Sequence, residues 1–414
     1  MILLGRRRWT ASVLAFLAVM GPGIITGFAG NDAGAVATYS AAGARYGYSL
    51  LWLLLVVSAG LLLMMEMCAR MGAVTGKGLS DLIRENFGVR WTLVAMIALL
   101  VANGSNVVAE FAGIAASLEL LAIPRGISVP IVAAALWATV VFFEYRVVER
   151  TLFVLTLAFV AYPISVIVLK PDWSAALHGL FVPTLGLSQD SLLVATALVG
   201  TTISPYLLFY IQASLVDKGI DLASYKLERL DVIFGAVISG AIAFFIMLVA
   251  AAVLFPARVE VETAQDAARA LAPLAGPAAG LLFGVGLFGA SMLAAAVMPL
   301  STAYAVTEAF GWESGISKRF REAPIFMGLF TFLIAGGAAV VAFTNVPLIP
   351  LIILSQDVNG LLLPVVLFFV LRLANDRLLM KDYANGPLAR TLGIAVAALA
   401  STLSLALVAV SLLP

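Results

Sequence analysis

The chain has 414 residues, 63% of them hydrophobic and only 11% charged, with a net charge of +1. A water-soluble domain carries about 25% charged residues, and a mean hydropathy of +1.09 leaves too few charges to cover a soluble surface. The near balance of 24 basic and 23 acidic side chains offers no electrostatic footprint for nucleic acid. The lone cysteine, Cys68, excludes an intrachain disulfide and a multi-thiolate metal centre.

Apolar stretches long enough to cross a bilayer recur along the whole chain. The expected spans are 13–43, 48–69, 91–118, 128–143, 151–170, 191–214, 232–256, 277–306, 324–344, 347–371 and 391–412. The fold class is therefore all-α: a polytopic membrane protein of about eleven transmembrane helices, with 1–414 as one transmembrane domain. Met1 to Arg8 and the run after them resemble a signal peptide. The run continues past about 20 residues without a persuasive cleavage site, so a first span is the expectation. The longest connections are 172–190 and 257–276. Residues 260–271 read as a short surface helix, with Glu260, Glu262, Asp266 and Arg269 interrupting apolar positions. Lysine and arginine fall 19 to 5 between alternate sides of this arrangement. The positive-inside bias then places the amino terminus in the cytoplasm and the carboxyl terminus outside, in a prokaryotic inner membrane.

Two spans are interrupted. The first contains Gly21-Pro22-Gly23, Gly27 and Gly30-Asn31-Asp32-Ala33-Gly34-Ala35. A carboxylate in hydrocarbon costs about 2.5–3.5 kcal/mol even on insertion scales. Asp32 must therefore be paired, hydrated, neutralised or bound to something. Backbone freed at such a break needs a cavity or a ligand. A cation site is one reading; a carboxylate that caps helix ends is the other. The sixth span carries Gly200-Thr201-Thr202-Ile203-Ser204-Pro205-Tyr206. Pro205 breaks the hydrogen-bond ladder, and Thr201, Thr202 and Ser204 offer oxygen to loosened backbone or to an ion. A simple proline kink is the bland alternative. Corresponding interrupted spans in two halves point to a midplane site in an inverted-repeat transporter. They predict repeats of about 13–170 and 191–371, with 391–412 as an additional helix.

The tenth span contains Ser355-Gln356-Asp357-Val358-Asn359-Gly360. Gln356 and Asp357 are candidates to hold a divalent cation or its water, or to make a gating or folding contact. Glu110 lies inside span three, with Asn103 and Asn106 on the same broad helical side; it reads equally as a relay or a buried hydrogen-bonded carboxyl. Glu66 stands four residues before Arg70, the spacing of a helical ion pair. Gln212 fits a helix-to-helix hydrogen bond as well as a ligand contact. There is no GxxxxGK[ST] phosphate loop and no HExxH, so neither an ATPase partner, a cofactor nor an enzymatic activity is expected. The lone His178 falls in a connection. Carboxylates, hydroxyls, amides and freed carbonyls make an oxygen-only donor set, which suits hard cations such as Mg²⁺, Ca²⁺ or Mn²⁺.

The stretches Gly21-Pro22-Gly23, Asn31-Asp32-Ala33-Gly34, Ala37-Thr38 and Tyr46-Gly47-Tyr48-Ser49-Leu50-Leu51-Trp52 resemble the Nramp superfamily of divalent-metal transporters. So do Ala69 to Lys77, Ala109-Glu110 with Gly113, Gly200 to Pro205 and Ser214-Leu215-Val216. The resemblance covers roughly the first ten helices. It implies a LeuT-type 5+5 inverted repeat with broken helices 1 and 6, and alternating access. Members that move manganese and iron carry Asp-Pro-Gly-Asn in span one, where this chain has Asp32-Ala33-Gly34-Ala35, and Met-Pro-His in span six, where it has Ser204-Pro205-Tyr206. The usual acid three residues before Glu110 is Val107. These departures resemble the Nramp-related magnesium transporter branch, thought not to couple to protons. The resemblance implies Asp32 as the central ligand, with the Ala29 and Thr201 carbonyls near the ion. Asn31 is our choice for a compensating oxygen, and Ser204 is a further candidate. The expected substrate is Mg²⁺ or Mn²⁺; a proton-coupled Mn²⁺/Fe²⁺ carrier and an organic-solute carrier of the same fold are the alternatives.

Overall fold

A computed structural model describes residues 22–142, 157–186, 188–222, 224–315 and 320–412. The expectations for residues 13–21 and for the arginines and lysine at 6–8, 146, 150, 318 and 319 lie outside the described residues. The first span is two helices, α1 (Pro22–Ala29) and α2 (Ala33–Tyr46). α3 (Leu51–Thr75) is the second span. α4 (Leu79–Glu119) begins ahead of the predicted 91. Its first turns carry Asp81, Arg84 and Glu85, which hide them from a hydropathy reading. They join the apolar part through Gly88, whose φ of 79° is open to glycine and strained for other residues. α5 (Arg125–Phe142) follows, and α6 (Ala161–Leu169) is part of the fifth span.

The connection at 172–190 contains a helix that hydropathy alone did not predict, α7 (Trp173–Phe181). Asp172 starts it by accepting from the Ser174 and Ala175 amides at 2.9 and 3.0 Å, and His178 lies within it. The sixth span divides into α8 (Gln189–Thr202) and α9 (Pro205–Asp217). α10 (Tyr225–Val253) leads to the surface helix α11 (Ala264–Ala268), which continues as a 3-10 turn (Arg269–Leu271) to the expected end but starts after the expected 260. Thr263 and Asp266 form its capping box, so Glu260 and Glu262 precede the helix instead of lying on it. The remaining long helices are α12 (Ala279–Phe310), α13 (Pro324–Phe343), α14 (Leu348–Ala374) and α15 (Pro387–Leu412).

Nine segments among the described residues are long and apolar enough to cross a membrane. The broken first span and the partly described fifth complete the eleven. Burial orders them from inside to outside. In α8–α9, 94% of the most apolar stretch is buried, against 28% in α5 and α15. The broken sixth span therefore lies at the centre, and α5 and α15 present their apolar side chains to lipid. α4 packs along α12 and α14, α10 packs against α1, α2 and α3, and α8 packs against α14. The two broken spans thus sit inside a ring of continuous helices. That ring supplies the partners that backbone leaving a helix in hydrocarbon requires.

Candidate cation site at the broken helices

The break in the first span is made by local hydrogen bonds. Gly30 and Asn31 donate their amides to the Thr26 and Phe28 carbonyls, each at 3.0 Å, which closes α1. Asp32 then takes an extended conformation (φ −76°, ψ −172°) and becomes the N-cap of α2. Its Oδ1 accepts from the Ala35 amide at 2.8 Å. The Ala33 amide donates to Glu110 Oε2 of α4 at 3.2 Å. Two buried carboxylates, one 2% and one 0% exposed, therefore converge on the N-terminus of one half-helix. The dipole there is equivalent to about half a positive charge. Among the described residues neither carboxylate has a lysine or arginine partner. When both ionise, their charge exceeds what the half-helix offsets.

In the sixth span, Ile203 (φ −106°, ψ 70°) ends α8, and the extended Ser204 precedes Pro205. Proline costs no hydrogen bond at the first position of a helix, so this break is a helix start, not a kink. Tyr206, the next residue, sends its hydroxyl across to the Ala29 carbonyl at 2.7 Å. This bond joins the broken end of α1 to the broken start of α9.

α14 closes the third side. Gln356 Nε2 donates to Asn106 Oδ1 at 3.1 Å and to Ser355 Oγ at 2.9 Å. Asn359 Nδ2 donates to Ser204 Oγ at 2.7 Å and to the Gly200 carbonyl at 3.3 Å, and Asn106 Nδ2 reaches the same Ser204 oxygen at 3.4 Å. Gly34 of α2 lies directly under the Gln356 amide, and a Cβ built there would stand 3.1 Å from Asp32 Oδ1. Gln356 therefore borders Asp32. Its neighbour Asp357 points elsewhere, because adjacent helical positions diverge by about 100°. Asp357 lines a cavity of about 520 Å³ together with Thr38, Arg45, Asp190, Glu260 and Glu262. Asp32 and Ser204 do not line that cavity.

The structure thus gathers Ala29, Asn31, Asp32, Glu110, Ser204, Thr201 and Gln356 around the paired breaks. Asn31 uses its amide nitrogen on Gly27 O (3.3 Å) and Ser239 Oγ (3.2 Å), which leaves its Oδ1 without a partner. Thr201 Oγ1 and Glu110 Oε1 are likewise buried and unpartnered among the described residues. Ser204 Oγ, by contrast, already receives two amide donors. Besides Asp357, two candidates lie away from the breaks. Glu66 forms ion pairs with Arg70 (3.2 Å) and Arg229 (3.3 Å) and accepts from Tyr225. Gln212 donates to the Lys77 carbonyl at 2.9 Å. Among the described residues no three His, Cys, Asp or Glu side chains cluster in metal-holding geometry, so the donor set depends on amides, hydroxyls and carbonyls. The roles of Tyr206 and Asn359 were missed in the sequence. Asn359 carried a weak signal, standing three residues after Gln356 on the same helical side; Tyr206 carried none.

The fold and sequence have clear relatives. In the crystal structure of the Eremococcus coleocola manganese transporter in complex with an aromatic bis-isothiourea substituted compound, the matching chain superposes with a TM-score of 0.78 at 20% identity, covering 95% of this chain and 86% of the other. The structure of MhsT in complex with L-phenylalanine, with a LeuT-type fold, gives 0.59 at 15% identity over 94% and 97%. Curated relatives include the divalent metal cation transporter MntH of Caldanaerobacter subterraneus, 26% identical over 92% of this chain and 90% of the relative. The MntH of Deinococcus radiodurans is 31% identical over 69% and 67%. Residues 23–410 match the family described as natural resistance-associated macrophage protein-like. The chain is a LeuT-fold membrane protein and belongs to the Nramp family.

Proposed function

We propose that this protein is a secondary transporter of divalent cations, with Mg²⁺ as its main substrate and Mn²⁺ also admitted, working by alternating access around Asp32. The observation that carries the reading is the meeting of two buried carboxyl groups at the start of α2. Asp32 and Glu110 meet one helix N-terminus with no basic partner among the described residues. When both ionise, a divalent cation offsets their charge. The curated relatives, named divalent metal cation transporters, support the substrate class.

The donor set supports the choice of ion. Unpartnered oxygens of Asn31, Thr201 and Glu110 surround the break, with Gln356 at its border. Neither 29–35 nor 200–206 contains a Met, Cys or His, so the breaks themselves do not favour a soft cation over a hard one. Mg²⁺ dehydrates reluctantly and keeps several waters when bound. In this reading Asp32 and freed carbonyls contact the ion, while the amides of Gln356 and Asn31 hold its remaining waters. Glu110 Oε2 accepts from the Ala33 amide, which leaves its Oε1 to hold a water of the ion. We further propose that α1–α6 and α8–α14 are the two repeats, with α15 added, and that the amino terminus is cytoplasmic.

Uptake of Mg²⁺ and Mn²⁺ into proteoliposomes tests the proposal. Asp32→Asn should lower uptake of both ions at least tenfold while leaving the purified protein monodisperse. Wild-type uptake by that variant would overturn the site. Acidification reported by an enclosed pH-sensitive dye during Mn²⁺ uptake would instead favour a proton-coupled manganese carrier.

A further inference from the structure

We propose a second cation site, separate from the one at Asp32, in the cavity between α2, α8, α14 and the segment before α11. Thr38 and Asp357 form its floor and Glu260 and Glu262 its rim. It receives a hydrated divalent cation and holds it through its water shell before the ion reaches Asp32. This rests on the transport reading above and adds an earlier stop on the route.

Three observations carry it. The first is that two residues lining the same cavity each carry an oxygen with no partner among the described residues. Thr38 Oγ1 and Asp357 Oδ1 have no hydrogen-bond partner among the described residues, although Thr38 is 1% and Asp357 6% exposed. Leaving such atoms unpaired costs about 1–3 kcal/mol each. The second observation is charge. The lining holds two guanidinium groups, Arg45 and Arg258, against four carboxylates. Arg45 is occupied by an ion pair with Asp190, whose other oxygen accepts from the Tyr46 hydroxyl at 2.6 Å. The surplus is negative and draws cations inward. The third observation is size. A cation with six waters occupies about 180 Å³, taking about 30 Å³ per water. The cavity, at about 520 Å³, admits it with its shell intact.

The floor is not the central site. Asp357 turns away from Gln356 on α14, and Gln356 stands on the Asp32 side. One carboxylate and one hydroxyl are too few to strip a magnesium ion, so contact goes through water. Weak binding is what a conduction route needs, since an ion held tightly there would not move on.

Mn²⁺ alone serves as the probe, counted on the full-length purified chain by the loss of the free aqua-ion resonance on binding. Asp32→Asn should retain one weak site, and adding Asp357→Asn should weaken that residual binding at least fivefold. Thr38→Val in the same background should weaken it about threefold, and serves if the double acid variant does not fold. In transport, Asp357→Asn alone should raise the half-saturating Mn²⁺ concentration several-fold. Residual binding unchanged by Asp357→Asn or by Thr38→Val would overturn the proposal, as would an Asp32→Asn protein that binds no Mn²⁺. Failure of the central site shows in a different measurement, as normal uptake by Asp32→Asn.

Discussion

Gly200 is where the packing of the site can be tested by adding a single methyl group. A Cβ at this position would stand 2.7 Å from Gly360 Cα and closer still to Gly360 N and the Gln356 carbonyl. All three are backbone atoms, so no rotamer change relieves the overlap. Ordinary carbon contacts begin at about 3.5 Å, and α8 and α14 must separate by nearly 1 Å. Overpacking of this kind costs about 1–3 kcal/mol. The damage spreads to the site because Asn359, on the displaced segment, holds Ser204 Oγ and the Gly200 carbonyl. If about 1.4 kcal/mol of the cost falls on ion binding, affinity drops tenfold. Gly200→Ala should therefore lower the melting temperature and reduce Mn²⁺ uptake at least tenfold at subsaturating ion. Gly336→Ala is the control, since a Cβ there meets nothing within 4 Å; helix propensity makes it neutral or slightly stabilising. Equal uptake and equal melting temperature in the two variants would refute the claim that direct backbone contact between α8 and α14 shapes the site.

Other predictions follow from individual bonds. Tyr206→Phe removes the donor to the Ala29 carbonyl and should cost about 1–2 kcal/mol of the contact between broken ends; proteolysis or cysteine labelling of α1 should accelerate, and unchanged labelling would count against the link. Asn359→Leu strips donors from Ser204 and Gly200 and should destabilise by about 2–3 kcal/mol in a chemical melt; a change below 0.5 kcal/mol would mean the amide network is dispensable. Arg70→Ala breaks a clasp in which Arg70 pairs with Glu66 and donates to Asn385 Oδ1 at 2.6 Å and to the Tyr383 carbonyl. Glu66 then retains Arg229 and Tyr225. The clasp ties α3 to the chain between α14 and α15, so its loss should raise the labelling rate of a cysteine placed at Ala384; an unaltered rate would show that the clasp carries no closure.

Several of these features were legible in the amino-acid sequence because they are local. Eleven apolar stretches, the glycines around Asp32 and Pro205 after a run of hydroxyl residues act over a few positions, and the two breaks stand where those residues predict. The errors at span ends have a common cause. Hydropathy discounts charged turns such as 79–87, which are helical without being apolar, and passes over Trp173–Phe181, which is apolar but at nine residues too short to read as a span. Glu66 and Gln212, singled out as polar residues in apolar runs, find partners in Arg70, Arg229 and the Lys77 carbonyl, away from the breaks.

Composition and local pattern by themselves determined that this chain lives in a bilayer, where its helices break, and that a carboxylate stands at the first break. Only the tertiary structure decided who shares that break. Glu110 reaches Ala33 across 77 positions, Tyr206 reaches Ala29 across 177 and Gln356 reaches Asn106 across 250. It also separated two adjacent residues, setting Gln356 beside Asp32 and Asp357 in a different cavity. The physical reason is that a break is an intramolecular choice of backbone, written in the residues that make it. The partners of buried polar atoms depend on which helix surfaces meet, and that is settled by packing the whole chain.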